Sequence, residues 1–247
     1  QLTTPSVVSF GDNGVIVGAR AASNRSENPT NTFYHIKRLI GRKYADQHIS
    51  KDKKQYPYMI KKGDNDLPIL PVNTKRYNDC GSAIFLKPEQ ISAMVLTYLR
   101  ESADSKCLEK TNKVVITVPA NFNDYQRRAT MDAAKIANFD PVCVISEPTS
   151  ACIAHAFYKG YRRETNNILV YDFGGGTLDV SLVQIKGGDI TVVATAGDAH
   201  CGGADIDQKI FDKVVEKMVK DGYPNIKNPE PEQAEMERCK RLRSVLL

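Results

Sequence analysis

NILVYDFGGGTLDVSLVQI, residues 167–185, is two strands joined by a glycine turn. The first half is an apolar run that ends at Asp172. In the second half Leu178, Val180 and Leu182 alternate with Asp179, Ser181 and Val183, a period of two that means strand and not helix. Between them lie Gly174, Gly175 and Gly176. Their main-chain amides carry no side-chain cover and reach dihedrals closed to other residues, so the turn can wrap an anion. Strand, glycine turn, strand is not the nucleotide P-loop, since no G-K-[ST] follows. Nor is it the dinucleotide fingerprint, in which a helix follows. Asp172 falls where the strand stops and can hold hydrated Mg2+ against phosphates, and Thr177 can donate a hydroxyl. A flexible hairpin turn is the alternative. Aspartates at both strand ends favour the phosphate cradle.

Working outward, strand-like and helical runs alternate, which is the pattern of an α/β protein. KVVITVP (113–119) is a buried strand stopped by Pro119. Asn123 or Asp124 then caps the helix DYQRRATMDAAKIANF (124–139). A short strand VCVI (142–145) leads to a helix near PTSACIAHAF (148–157). After the glycine segment, GGDITVVATAG (187–197) adds a third strand to the meander, and DQKIFDKVVEKMVKDGY (207–223) is an amphipathic helix ending near Gly222. PEQISAMVLTYLRESADS (88–105) is a helix with Pro88 at its start and Ile91, Val95 and Leu99 on one face. The first ninety residues mix short helix and strand signals with turn formers, in HIKRLIGRKY (35–44) and KKGDNDLPILPVNTKRY (61–77), and predict a small appended α/β lobe. NPEPEQ (228–233) is a turn or linker before a basic final helix.

The chain has 247 residues, 41% of them hydrophobic, enough for an ordinary packed core. No apolar run approaches the roughly 20 residues of a membrane-spanning helix, and the sequence opens with neither a secretory signal nor a transit peptide. The net charge of +5 is spread along the chain rather than gathered with aromatics, which argues against nucleic-acid binding. Six cysteines (80, 107, 143, 152, 201 and 239) have no C-x-x-C pairing and are expected to be free thiols in a reducing compartment.

Three other places carry candidate chemistry. AGDAHCGGADID (196–207) is a second glycine turn, in which Gly202 and Gly203 precede Asp205 at the start of the next helix. A helix N-terminus beside glycines attracts anions, although an ordinary cap and turn reads the same. Glu147 stands just after the strand VCVIS, at a carboxyl end, where open α/β sheets place ligand clefts. Lys37 has no local signature and by composition is a solvated lysine.

Read together, TTPSVVSF (3–10), NPTNTFYHIKRLIGRKY (28–44), VVITVPANFNDYQRRAT (114–130), ISEPTSACIA (145–154), VYDFGGGTLDVSL (170–182) and ATAGDAHCGGADID (194–207) resemble motifs of the heat-shock protein 70 chaperone family, in the family's order. The resemblance implies the actin-like, ribonuclease-H-like α/β fold, with two lobes closing over ATP or ADP with Mg2+ and K+. It places residues 1–160 in the first lobe, with about 6–88 as the appended subdomain, and 161–247 in a partial second lobe. It implies ATP hydrolysis that switches an attached domain between loose and tight holding of unfolded polypeptides, in a protein of the stress response.

By the same resemblance Lys37 orients the attacking water, and Glu147 and Asp172 surround the hydrated magnesium. Gly174, Gly175, Gly176 and Thr177 form the second phosphate loop. Asp179 and Asp205 line the same cleft, and Gly202 with Gly203 lie near ribose and phosphate. Pro119 and Arg127 match the pair that relays nucleotide state to the substrate domain. J-domain cochaperones and nucleotide exchange factors are the implied partners, with no nucleic acid and no membrane.

The family's first glycine-threonine loop has no counterpart here. At the other end two registers are open: CKRLRS (239–244) as the adenine-contacting helix motif, or KRLRSVLL (240–247) as the basic run before it, and the second fits the run and the intervening length better. On that reading the adenine-contacting helix is absent too, and the expectation is a domain truncated at both ends with little or no ATPase activity. Ala204 replaces a usual glutamate, Leu2 an arginine, and Asn121 and Tyr125 vary the relay segment. A sugar or acetate kinase of the same fold, or a non-catalytic module that binds cochaperones, are the rival readings. NTFYHIKRLIGR looks organellar or bacterial and ATAGDAHCGG cytosolic. The cytoplasm is the expectation, with a mitochondrial or other organellar location as the alternative.

Overall fold

A computed structural model describes residues 3–53, 56–74, 84–107, 109–159, 165–198 and 200–222. The final basic segment, with NPEPEQ and both of its possible registers, lies outside them, as do Leu2, Cys80 and Cys239. The described part is a mixed α/β protein with several small sheets.

The densest packing is in the N-terminal third. β1 (Val8–Gly11) pairs antiparallel with β2 (Gly14–Val17) and with β3 (Thr32–Phe33). A second sheet has the order β4 (Lys61–Lys62), β5 (Pro68–Val72), β6 (Ile84–Leu86). Short helices α1 (Ala19–Ser23) and α2 (Gln47–Asp52) lie between these strands in sequence, the second capped by the Asp46 carboxylate on the His48 amide at 2.8 Å. Phe33 is fully buried, with its ring edge-on to Phe10 at 5.7 Å and to Tyr58 at 5.2 Å. Val8, Leu39, Ile49, Leu70, Val72 and Ile91 complete one continuous apolar cluster. Burying each of these side chains contributes on the order of 1.5–3 kcal/mol.

Helix α3 (Pro88–Cys107) lays Ile91 on that core. β7 (Lys113–Val118) and β8 (Asp140–Ser146) pair in parallel, joined through α4 (Asp124–Ile136). The Asn123 side chain accepts the Gln126 amide at 3.0 Å while Gln126 Oε1 accepts the Asn123 amide at 3.2 Å, a reciprocal cap that fixes where α4 starts. α5 (Glu147–Lys159) follows β8 directly, with Ser146 Oγ accepting the Thr149 amide.

β9 (Asn166–Phe173), β10 (Leu178–Lys186) and β11 (Asp189–Asp198) form the expected antiparallel meander, with β10 in the middle. α5 packs on this sheet, and α6 (Gly203–Lys220) closes the described chain. Strand periodicity therefore read correctly, and the buried face of β10 is the mixed one that opens with Asp179 and Ser181. Asp179, Ser181, Val183 and Ile185 are buried, whereas Leu182 on the other face is exposed together with Leu169, Tyr171 and Phe173 of β9. Among the described residues, no helix is long and apolar enough to cross a membrane. Cys107, Cys143, Cys152 and Cys201 carry free thiols.

Candidate functional site

The turn at Ile36–Arg38 anchors the site to the core. Ile36 and Leu39, three residues apart on a tight 3-10 turn, both enter the apolar cluster, so Lys37 and Arg38 between them project away from it. Lys37 reaches Glu147 at the first position of α5, 110 residues away, with Nζ 2.6 Å from Oε1. The lysine is half exposed and the carboxylate 18% exposed, so the pair stands at the wall of a cleft and contributes little to stability.

Arg38 is more deeply placed. Its Nη2 donates to the Gly176 carbonyl and to Asp205 Oδ2, both at 2.7 Å, and its Nη1 lies 3.6 Å from Oδ1 of the fully buried Asp52. Burial works against its charge, but Tyr56, Asp205 and Asp52 outweigh this and hold the guanidinium above its ordinary value. Burial raises the Asp52 carboxyl despite Arg38 and His200. His200 in turn places Nε2 3.3 Å from Asp52 and stacks on His48, with ring centroids 4.9 Å apart and the two Nδ1 atoms at 3.1 Å. Spacing alone pointed to none of Arg38, Asp52, His48 or His200. The only signal was that apolar Ile36 and Leu39 flank the basic pair.

The two glycine turns lie against each other. The Gly174 carbonyl accepts the Gly203 amide at 3.0 Å, the Gly175 carbonyl accepts the Ala204 amide at 2.8 Å, and Arg38 takes the Gly176 carbonyl. A planar trans peptide points each N–H opposite to the carbonyl before it. With three successive carbonyls turned toward α6 and Arg38, the amides of Gly175, Gly176 and Thr177 point the other way. Among the described residues no protein acceptor takes them, whereas the Gly174 amide closes the turn on the Thr177 carbonyl at 2.9 Å. Gly175, Gly176 and Thr177 line a cavity of about 740 Å³ together with Lys37, Glu147 and His200. Val95, Leu96 and Leu99 of α3, Val118 and Pro119 at the end of β7, and Phe122 give it an apolar stretch of wall, and Arg25, Arg42, Asn121 and Gln126 line it as well.

Gly202 is required where it stands. A Cβ there would lie 2.6 Å from the carbonyl carbon and nitrogen of Gly176. Asp205 occupies the first turn of α6 rather than the position before it, because the helix already starts at Gly203. Its Oδ2 reaches back to the Gly202 amide at 2.9 Å.

Asp172 and Asp179 are direct partners across β9 and β10, at the mouth of the glycine turn and on one face of the sheet. Asp172 is exposed. Asp179 is 5% exposed, and among the described residues its Oδ2 has no hydrogen-bond partner. A buried carboxylate oxygen without a donor at the edge of an anion cradle suits a cation and its water. Among the described residues no three His, Cys, Asp or Glu side chains converge on a metal position, so magnesium here would be carried mainly by water and phosphate. Pro119 terminates β7, and Arg127 braces the turn after it, donating through Nε to the Phe122 carbonyl at 3.0 Å and through Nη2 to that of Ala120 at 3.2 Å.

Comparison with known proteins places the chain in a family. The chain is 42% identical over 210 residues to a "Heat shock cognate HSP70 protein" of Trypanosoma brucei brucei, covering 85% of this chain and 30% of that protein. It is 43% identical over 212 residues to a heat shock protein of Pyricularia oryzae, covering 86% of this chain and 34% of that protein. The chain thus spans about a third of the length of these relatives. The profile of the Hsp70 protein family matches residues 1–246, and the chain belongs to that family.

Proposed function

We propose that this chain is a nucleotide-binding domain, of the actin-like ATPase fold, from an ATP-driven molecular chaperone, and that Gly175–Thr177 grip the phosphates of ATP or ADP. What supports this reading is the set of three consecutive amides, Gly175 to Thr177, unclaimed by acceptors among the described residues and directed to the cavity because the carbonyls of Gly174, Gly175 and Gly176 are held from behind. Oriented amides in a cleft attract an anion and need no rearrangement to bind it.

Around that cradle each side chain has a role. Lys37 orients a water for attack on the terminal phosphate, and its ion pair with Glu147 holds it at the cleft wall until the nucleotide arrives. Glu147 and Asp172 hold magnesium through water, and Asp179 supports them from the buried side of the sheet. The metal would neutralise phosphate charge. Gly202, Gly203 and Asp205 fix the second turn, on the ribose side. In-line attack by water depends on this positioning and charge neutralisation more than on covalent chemistry. Pro119 and Arg127, locked to one another through the 119–122 turn, pass the state of the cleft outward. Residues 1–160 and 161–247 act as the two lobes. An attached domain that holds unfolded polypeptides, J-domain cochaperones, exchange factors, a bound K+, a role in the stress response and a cytoplasmic location complete the proposal.

Calorimetry with Mg-ADP tests it. Saturable binding that Thr177→Val and Asp172→Asn weaken is the expected result. Undetectable binding of both Mg-ADP and Mg-ATP by folded protein would remove the proposal and favour a cochaperone-binding module.

A further inference from the structure

We infer that Arg38 is a positioning residue for the phosphate cradle, joining the two glycine turns to α2 so that the Gly175–Thr177 amides stay directed into the cavity. The inference rests on the nucleotide reading only for its ligand. The geometric part stands without it.

Three carbonyls must be held for three amides to face the cavity. Two of them, Gly174 and Gly175, are taken by main-chain amides of α6 that come with the helix itself. The third, Gly176, has no main-chain donor among the described residues, and the Arg38 guanidinium supplies a donor at 2.7 Å. The same nitrogen ties Asp205, whose carboxylate also binds the Gly202 amide, so one planar group sets the spacing between the turns. Nη1 faces Asp52, which is buried and fixes the fork from the other side. Gly176 has its would-be Cβ position 3.4 Å from Arg38 Nε, so the guanidinium also lies flat against that residue. A lysine carries the charge but not the fork. A single ammonium cannot occupy the positions of Nη1 and Nη2 together.

The experiment compares wild type, Arg38→Lys, and the double variant Arg38→Gln with Asp52→Asn, which avoids stranding a buried carboxylate. Amide NMR of the ligand-free chain and titration with Mg-ADP are both recorded. The expected result for the folded variants is a displaced Thr177 amide resonance and faster exchange at Gly203 and Ala204, with β1–β3 amides unchanged. Mg-ADP affinity should fall about tenfold in Arg38→Lys and further in the double variant. A role confined to general stability would raise exchange in β1–β3 as well, and that pattern overturns the inference. So would wild-type amide positions at Gly175–Thr177 in either folded variant. If wild type itself binds no Mg-ADP, the nucleotide proposal fails, while the amide resonances still decide whether Arg38 sets the turn.

Discussion

Substituting alanine at two glycines of this site, Gly202 and Gly175, should move stability in opposite directions. Gly202 has φ −140° and ψ −177°, an extended backbone that alanine adopts freely, so any cost comes from space. An added Cβ would stand 2.6 Å from Gly176 N and C and 2.8 Å from Gly175 C, all main-chain atoms that no rotamer change can move aside. The turns must separate. Overpacking of this kind costs about 1–3 kcal/mol, and separation also strains the Gly203 and Ala204 hydrogen bonds to Gly174 and Gly175, at roughly 0.5–1.5 kcal/mol each. A net loss of about 2–6 kcal/mol corresponds to a fall in Tm of roughly 4–24 °C for a chain of this size.

Gly175 meets nothing within 4 Å and is not in the left-handed region. Alanine there should leave stability unchanged or raise it by about 0.4–1 kcal/mol through the unfolded chain, while covering the cavity-facing amides. Thermal unfolding followed by circular dichroism separates the two, and Mg-ADP titration should show weaker binding in both. A Gly202→Ala protein as stable as Gly175→Ala would mean that the turns are not in contact, and would leave the cradle without its support.

The stacked His48–His200 pair should make the chain acid-sensitive. Burial, Arg42 and His200 lower the His48 imidazole below 6.5, against the pull of Asp46 and Asp52, with Arg38, Asp198 and Asp205 nearby on the facing turns. The unfolded chain then binds more protons than the native one below about that pH, so stability falls as pH drops through 6.5. Tm measured from pH 7.5 to 5 should fall more steeply in wild type than in His48→Gln, and parallel curves would refute the coupling. In the core, Tyr58→Phe should cost about 1–3 kcal/mol in urea denaturation, because the fully buried hydroxyl donates to the Tyr34 carbonyl and its loss leaves that oxygen unpaired. A loss under about 0.5 kcal/mol would show that water replaces it.

Local chemistry made part of this protein legible in one dimension. Periodicity marked β9, β10, β11, α3 and α4, because side chains repeat every two residues in a strand and every 3.6 in a helix whatever lies around them. The Asn123–Gln126 cap and the glycine run are equally local. The resemblance of six segments to family motifs singled out Lys37, which spacing alone left as a solvated lysine. Contacts across long separations were decided only by the tertiary structure. Lys37 finds Glu147 110 residues away, and Arg38 finds Gly176 and Asp205 138 and 167 residues away, distances at which sequence carries no spacing rule. The buried face of β10 was also settled there, since alternation says that two faces differ but not which one will be covered. So was the direction of the cradle amides: three glycines permit many turns, and the one adopted follows from donors brought by α6 and Arg38 to the carbonyl side.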